Sequence, residues 1–177
     1  MAIVEKSGAS KNRTIRIDRA IDDQIVSEAE NKEISTNNLI EQILLIYLNH
    51  TRYVESNLSL TILPATIAIF LKYLDDEDLV KIGEEVGRTI PERMFLSRGI
   101  VFDKKAVLSH VLQVFGGSDN WFKVSYHEEG MRPYLYIRNS LGSKWVLFIE
   151  AFLGAFYKYL DVEVESFRIG DNLQILL

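Results

Sequence analysis

A six-residue stretch near the N-terminus constrains this chain more than any other feature. In Arg13-Thr14-Ile15-Arg16-Ile17-Asp18, polar and apolar residues alternate, which is the period of a short strand with Ile15 and Ile17 on its buried face. Two amphipathic helices are expected after it. Asp18 offers an N-cap, and Ile21, Ile25 and Ala29 recur at helical spacing through Ala20–Asn31. After a break at Asn31-Lys32-Glu33, Ser35 caps a second helix. Its apolar Leu39, Ile40, Ile43, Leu44, Ile46 and Tyr47 carry it to about His50. A lone strand leaves its ladder groups unpaired, and one strand with two short helices cannot close a core. The economical solution is a two-fold dimer. Two copies of the strand then pair antiparallel, and four helices bury Ile15, Ile17, Ile21, Ile25, Leu39, Ile43 and Tyr47. Asn12, Thr14 and Arg16 lie on the other face of the ribbon.

This segment resembles the ribbon-helix-helix DNA-binding family of the Arc and MetJ repressors. The likeness is carried by Arg13-Thr14-Ile15-Arg16-Ile17-Asp18, by Ile21 and Ile25, and by Ile34-Ser35-Thr36-Asn37-Asn38-Leu39-Ile40, and it covers about residues 10–55. It implies an intertwined dimer whose paired strands enter the major groove of double-stranded DNA. Asn12, Thr14 and Arg16 would then reach base edges. Arginine can bridge guanine O6 and N7, asparagine can bridge adenine N6 and N7, and threonine can take a hydrogen bond or a thymine methyl. Phosphates would fall to Lys11, Arg13 and Lys32, and to Ser35, Thr36 and Asn37 with Asn38 at the start of the second helix, where free amides attract an anion. Many members of the family have glycine in the turn between the helices. Here the turn holds Lys32-Glu33.

Charge is distributed in keeping with that implication. The chain carries a net −5, which opposes phosphate binding. Residues 1–19, however, hold Lys6, Lys11, Arg13, Arg16 and Arg19 against Glu5 and Asp18. A basic arm precedes an acidic body. The absence of cysteine excludes disulfides, thiolate nucleophiles and cysteine-ligated metals. The most apolar stretches, Leu60–Leu71 and Trp145–Leu160, are both too short and too interrupted for a bilayer. The charged start of the chain does not fit a signal peptide, so the expected location is cytoplasmic.

The domains expected are 1–56, the ribbon-helix-helix module, and 57–177, an α+β sensor or oligomerisation domain. Leu58–Ile62 reads as a strand or linker. Pro64 opens a helix over Ala65–Leu74, and Asp75-Asp76-Glu77-Asp78 caps another that carries Leu79, Ile82, Val86 and Ile90 and stops at Pro91. Lys104–Phe115 is a third helix, ended by Gly116-Gly117-Ser118. Trp121–His127 and Pro133–Arg138 alternate as strands joined through Glu128-Glu129-Gly130, and Val162–Ile169 pairs with Leu173–Leu177 across Gly170-Asp171-Asn172. Between the hairpins, Leu141–Leu160 is one helix. Trp145, Phe148, Ile149, Phe152, Phe156, Tyr159 and Leu160 share one face, with Ser143, Leu147, Glu150, Gly154, Tyr157, Lys158 and Asp161 opposite. The expected product is an antiparallel sheet with helices on one side. The run Asn139-Ser140-Leu141-Gly142-Ser143-Lys144-Trp145, with Phe148, Phe152, Leu153 and Phe156, is similar to the heme-nitric-oxide-binding and V4R ligand-binding superfamily. That likeness implies a small-molecule effector but transfers no binding residue and no cofactor.

His50, His110 and His127 show no metal-ligand spacing, and His127-Glu128-Glu129 reads as a turn. Aromatic residues at helical spacing read as core more than as a cavity lining. No phosphate loop, nucleophile elbow or paired catalytic carboxylate is present, so no enzyme is expected. The sequence therefore points to a homodimeric, sequence-specific transcription regulator. Two alternatives stand beside it: an antitoxin-like interaction protein whose dimer binds its own operator, and a module whose N-terminal dimer serves only for assembly.

Overall fold

Polar side chains that satisfy the first free amides set where the N-terminal helices begin. The computed structural model describes residues 8, 11–52, 62–98, 101, 103–118, 121–128 and 132–177. The chain divides into two compact units, one of Ile3–Ser59 and one containing Leu60–Leu177. The boundary expected at residues 56–57 and most of the Leu58–Ile62 segment lie outside the described residues. In the first unit, Asp18 accepts from the Ala20 amide at 2.9 Å and starts α1, Arg19–Asn31. The Ile34 amide donates back to the Ala29 carbonyl at 3.0 Å, and Glu33 closes the turn at φ 54°, where a Cβ is costly. The turn is thus short, and a strained glutamate takes the glycine's place. The Ser35 hydroxyl accepts from the Asn38 amide at 3.2 Å and starts α2, Thr36–Ile46, which widens into a π-helical Tyr47–Thr51.

The two helices bury Ala29 and Leu39. Ile15, at 64% exposure, stands in solvent together with Ile21, Ile43, Leu44, Ile46 and Tyr47, while Ile17 and Ile25 are half-buried. Residues 11–18 form no helix and no strand in the single chain. A ladder needs a second strand, and none pairs with this segment among the described residues.

In the second unit, Pro64 occupies the first turn of α3, Pro64–Tyr73. The next helix, α4, Asp76–Arg98, carries Asp76, Glu77 and Asp78 in its first turn, where the helix dipole favours negative charge. Pro91 does not end it, contrary to expectation. An interior proline loses one main-chain bond and crowds the carbonyl four residues back, at a cost of about 3 kcal/mol. Continuation carries Phe95 into the core, where its ring lies 5.0 Å from His110 and 6.2 Å from Phe156, and burying a phenylalanine returns about 1.5–3 kcal/mol. Asp103 caps α5, Lys104–His110, through the Ala106 amide at 2.8 Å. The uniform helix expected to Phe115 is corrected: Val111–Ser118 is π-helical. The segment buries Val111, Val114 and Phe115, an i, i+3, i+4 set that an α-helix would also turn inward, so the apolar pattern does not reveal the wider turn.

The sheet comprises β1 Lys123–His127, β2 Tyr134–Arg138, β3 Glu165–Ile169 and β4 Asn172–Leu176, all antiparallel in the order β1-β2-β4-β3. Asn172 pairs with Ile169, so the last turn is only Gly170-Asp171. Gly170 has φ 61°, as the first central position of a type II′ turn requires. His127 belongs to β1 and pairs with Tyr134 instead of lying in the turn. Glu129 and Gly130 lie outside the described residues.

Leu135, Ile137, Leu173 and Ile175 point into a core shared with α6, Ser143–Lys158. This helix buries more than the one face expected. Val146, Leu153 and Tyr157 are buried, Trp145 and Leu160 are half-buried, and Tyr159 is exposed. The reason is a second neighbour, α4, which packs closely against it. A Cβ on Gly83 would fall 2.7 Å from the Phe148 carbonyl oxygen and 2.8 Å from the Ala151 Cβ, and one on Gly87 would fall 2.9 Å from the Ala155 Cβ. The second unit is an α+β domain with helices on one side of a four-stranded antiparallel sheet. No helix among the described residues is long and apolar enough to cross a membrane.

Candidate nucleic-acid interface

The segment before α1 presents its polar side chains outward. Lys11, Asn12, Arg13, Thr14 and Arg16 are all exposed, and Lys11, Arg13 and Arg16 form no ion pair among the described residues. Three unneutralised cations therefore stand along eight residues, interleaved with an asparagine and a threonine, side-chain types able to hydrogen-bond base edges. Lys32 is already engaged: its ammonium lies 2.9 Å from Glu28 Oε1, with both side chains half exposed. Such a pair one helical turn apart is worth about 0.3–0.5 kcal/mol, little enough for a phosphate to displace.

At the start of α2 the expected free amides are reduced in number. Ser35 is exposed, but its hydroxyl already takes the Asn38 amide, and its carbonyl takes the Leu39 amide at 3.0 Å. Serine capping thus leaves the Thr36 and Asn37 amides, which by position have no intrahelical partner, to attract an anion. Asn38 spends its side chain on Gln42, whose amide donates to it at 3.3 Å.

The histidines and aromatic residues of the second unit serve other purposes. His110 is fully buried and its ring lies 4.9 Å from Phe115. Trp121, Trp145, Phe148 and Phe152 form a continuous packed group, and the Trp145 indole donates to the Trp121 carbonyl at 2.9 Å. Glu150, on the polar stripe of the sequence pattern, accepts from Ser166 and, at 2.5 Å, from Arg168 Nε. It ties α6 to β3. An open groove of about 390 Å³ beside α4 and α6 is lined by Glu84, Arg88, Lys158 and Tyr159 among others, with Arg88 3.8 Å from Glu84. Among the described residues, no three histidines or carboxylates gather as a metal site.

One surface goes beyond the expected site residues. The alternation that marks β1 and β2 as strands also carries His127, Tyr134 and Tyr136 to the sheet's open face, and the signal lies in the unburied half of the same pattern. No protein-family model, no curated protein and no solved structure matches this chain.

Proposed function

We propose that this chain is a homodimeric, sequence-specific DNA-binding transcription regulator. In this reading the segment around Arg13–Asp18 pairs with its copy as a two-stranded ribbon in the major groove. The observation that carries it is the imbalance of the first unit, which buries Ala29 and Leu39 while leaving Ile15, Ile21, Ile43, Leu44, Ile46 and Tyr47 exposed. Two buried apolar side chains, with Asn49 beside them among the described residues, cannot offset the entropy of ordering some forty residues. A second copy supplies both the missing core and the missing ladder. The basic segment then lies on the outer face of the ribbon, with Asn12, Thr14 and Arg16 as base readers. Lys11, Arg13, Lys32, Ser35, Thr36 and Asn37 act on phosphates. The larger unit, with its own aromatic core, serves assembly or the sensing of a small effector. A folded domain of that size is more than the short tail that an antitoxin needs.

Selection of binding sites from random duplexes, followed by titration of the selected site, tests the reading. Arg16→Ala is expected to weaken specific binding by about 1–3 kcal/mol without unfolding the chain. Unchanged affinity for the selected duplex would remove Arg16 from the groove.

A further inference from the structure

The helix α3 is apolar almost all the way round. Of its ten residues, Thr66, Lys72 and the hydroxyl of Tyr73 supply the only polar side-chain groups, and a helix of that kind is ordinarily buried on every side. Here it is buried on one. Leu71 is its single buried residue, Ile67 and Ala68 are half-buried, and the start of α6 holds its end through Lys144, whose ammonium donates to the Leu74 carbonyl at 2.5 Å. None of its residues joins the core around α6. The opposite side stands in solvent, with Leu63 71% and Tyr73 85% exposed and Ile62, Ile69 and Phe70 near half. A helix this short is marginal in water by itself, so the open side lacks the packing that would hold it.

The spacing of these side chains specifies the cover. Leu63, Thr66, Phe70 and Tyr73 recur at intervals of three, four and three residues, the seam along which two helices pack side by side, and Ile62 and Ile69 flank it. The open side amounts to roughly 600 Å², so two copies face to face would bury about 1,200 Å², where specific interfaces begin. The seam is also symmetric about Ala68: Leu63 answers Tyr73, and Thr66 answers Phe70. An antiparallel copy therefore sets the seam against itself. Charge selects that direction. Asp75, Asp76, Glu77 and Asp78 follow α3 and are exposed; parallel copies would bring two acidic runs together, whereas antiparallel copies bring each run toward the positive N-terminal end of the other α3. The same run is repelled by an anionic lipid surface.

From these observations we propose that α3 is a second homodimer interface, in which the α3 helices of two copies pair antiparallel along Leu63, Thr66, Phe70 and Tyr73. The pairing stands apart from the ribbon of the first unit and does not rest on it. Where a ribbon also joins the two chains, it raises the local concentration of one α3 around the other and tightens the contact. Because α3 adds so little to the core of its own unit, the pair is made and lost without unfolding that core.

The chain contains no cysteine, so one introduced thiol reports the contact. Ile69 lies beside the two-fold axis of the antiparallel pair. Oxidation of the full chain with copper phenanthroline should join two Ile69→Cys chains by a disulfide, while Lys158→Cys, at the end of α6 far from the Lys144 tether, stays single. Sedimentation equilibrium at several chain concentrations separates this interface from the ribbon. The Ile17→Ser chain, with its ribbon broken, should still dimerise, and adding Phe70→Asp with Tyr73→Asp should weaken that association roughly hundredfold or more. Both side chains are exposed, so the core persists, as near-ultraviolet circular dichroism of Trp121 and Trp145 will report. Arg16→Ala should weaken duplex binding and leave the disulfide yield unchanged, so the two readings fail separately. An Ile17→Ser chain that is monomeric at every concentration overturns the proposal. So do Ile69→Cys chains that link no faster than Lys158→Cys, or aspartates that shift the melting of the first unit and not the association, which would make the chain's own first unit the cover of α3.

Discussion

Tyr157 concentrates the physics of a single residue in this fold. It is 3% exposed, and its hydroxyl has no hydrogen-bond partner among the described residues. Burial, reinforced by Tyr126, pushes its pKa well above the ordinary value of 10.0. The folded state therefore keeps a proton that the unfolded chain releases above about pH 10, and stability falls as pH rises beyond that point. Tyr157→Phe should raise stability by about 1 kcal/mol at neutral pH, since it removes an unsatisfied buried hydroxyl, and should flatten the alkaline loss. Urea unfolding at neutral and alkaline pH checks both effects, and a less stable variant would mean that the hydroxyl is bonded. Helical periodicity places Tyr157 with the polar residues because a wheel drawn against one neighbour cannot register a second. Glu33 was likewise beyond reach of the sequence. A turn lacking its usual glycine reads as longer or strained, and only the dihedral angle decides between the two.

Between elements, the contact of α4 with α6 carries the clearest consequence. Alanine in place of a helical glycine normally gains about 1 kcal/mol. At Gly87 the added carbon would meet the backbone of Phe152 and the side chain of Ala155, atoms that cannot swing aside. Gly87→Ala should therefore destabilise by roughly 1–3 kcal/mol. Gly154, on α6, has nothing within 4 Å of such a carbon, so Gly154→Ala should stabilise by up to about 1 kcal/mol. Opposite signs in thermal denaturation are the expected result, and equal signs would mean that the helices are not this close. Sequence pattern located both hairpins and, among the described residues, every α-helix, because alternation and capping are local. It failed at Pro91, beyond which the helix continues and carries Phe95 into the core, and at Val111–Ser118, where the buried positions fit α-helical spacing although the segment is π-helical.

For the whole molecule, the two units differ in where their stability comes from. The second has an aromatic core of its own, whereas the first depends on a partner under the proposed function. Heating should then give two transitions, of which only the one assigned to the first unit moves upward with protein concentration. Ile17→Ser should abolish that transition and spare the other. A single transition independent of concentration would sink the dimer. The residues proposed to read bases stand out in the sequence as the polar half of an alternating run, but the open sheet face does not, because alternation is read for its buried half. The position of β3 has a further consequence. It is an outer strand with every residue exposed, and no strand flanks its far side among the described residues. Glu165 and Arg168 put opposite charges on its two faces. A sister chain trying to extend the sheet along that side would have to desolvate both, and the molecule is thereby guarded against templated fibre growth at its most open margin.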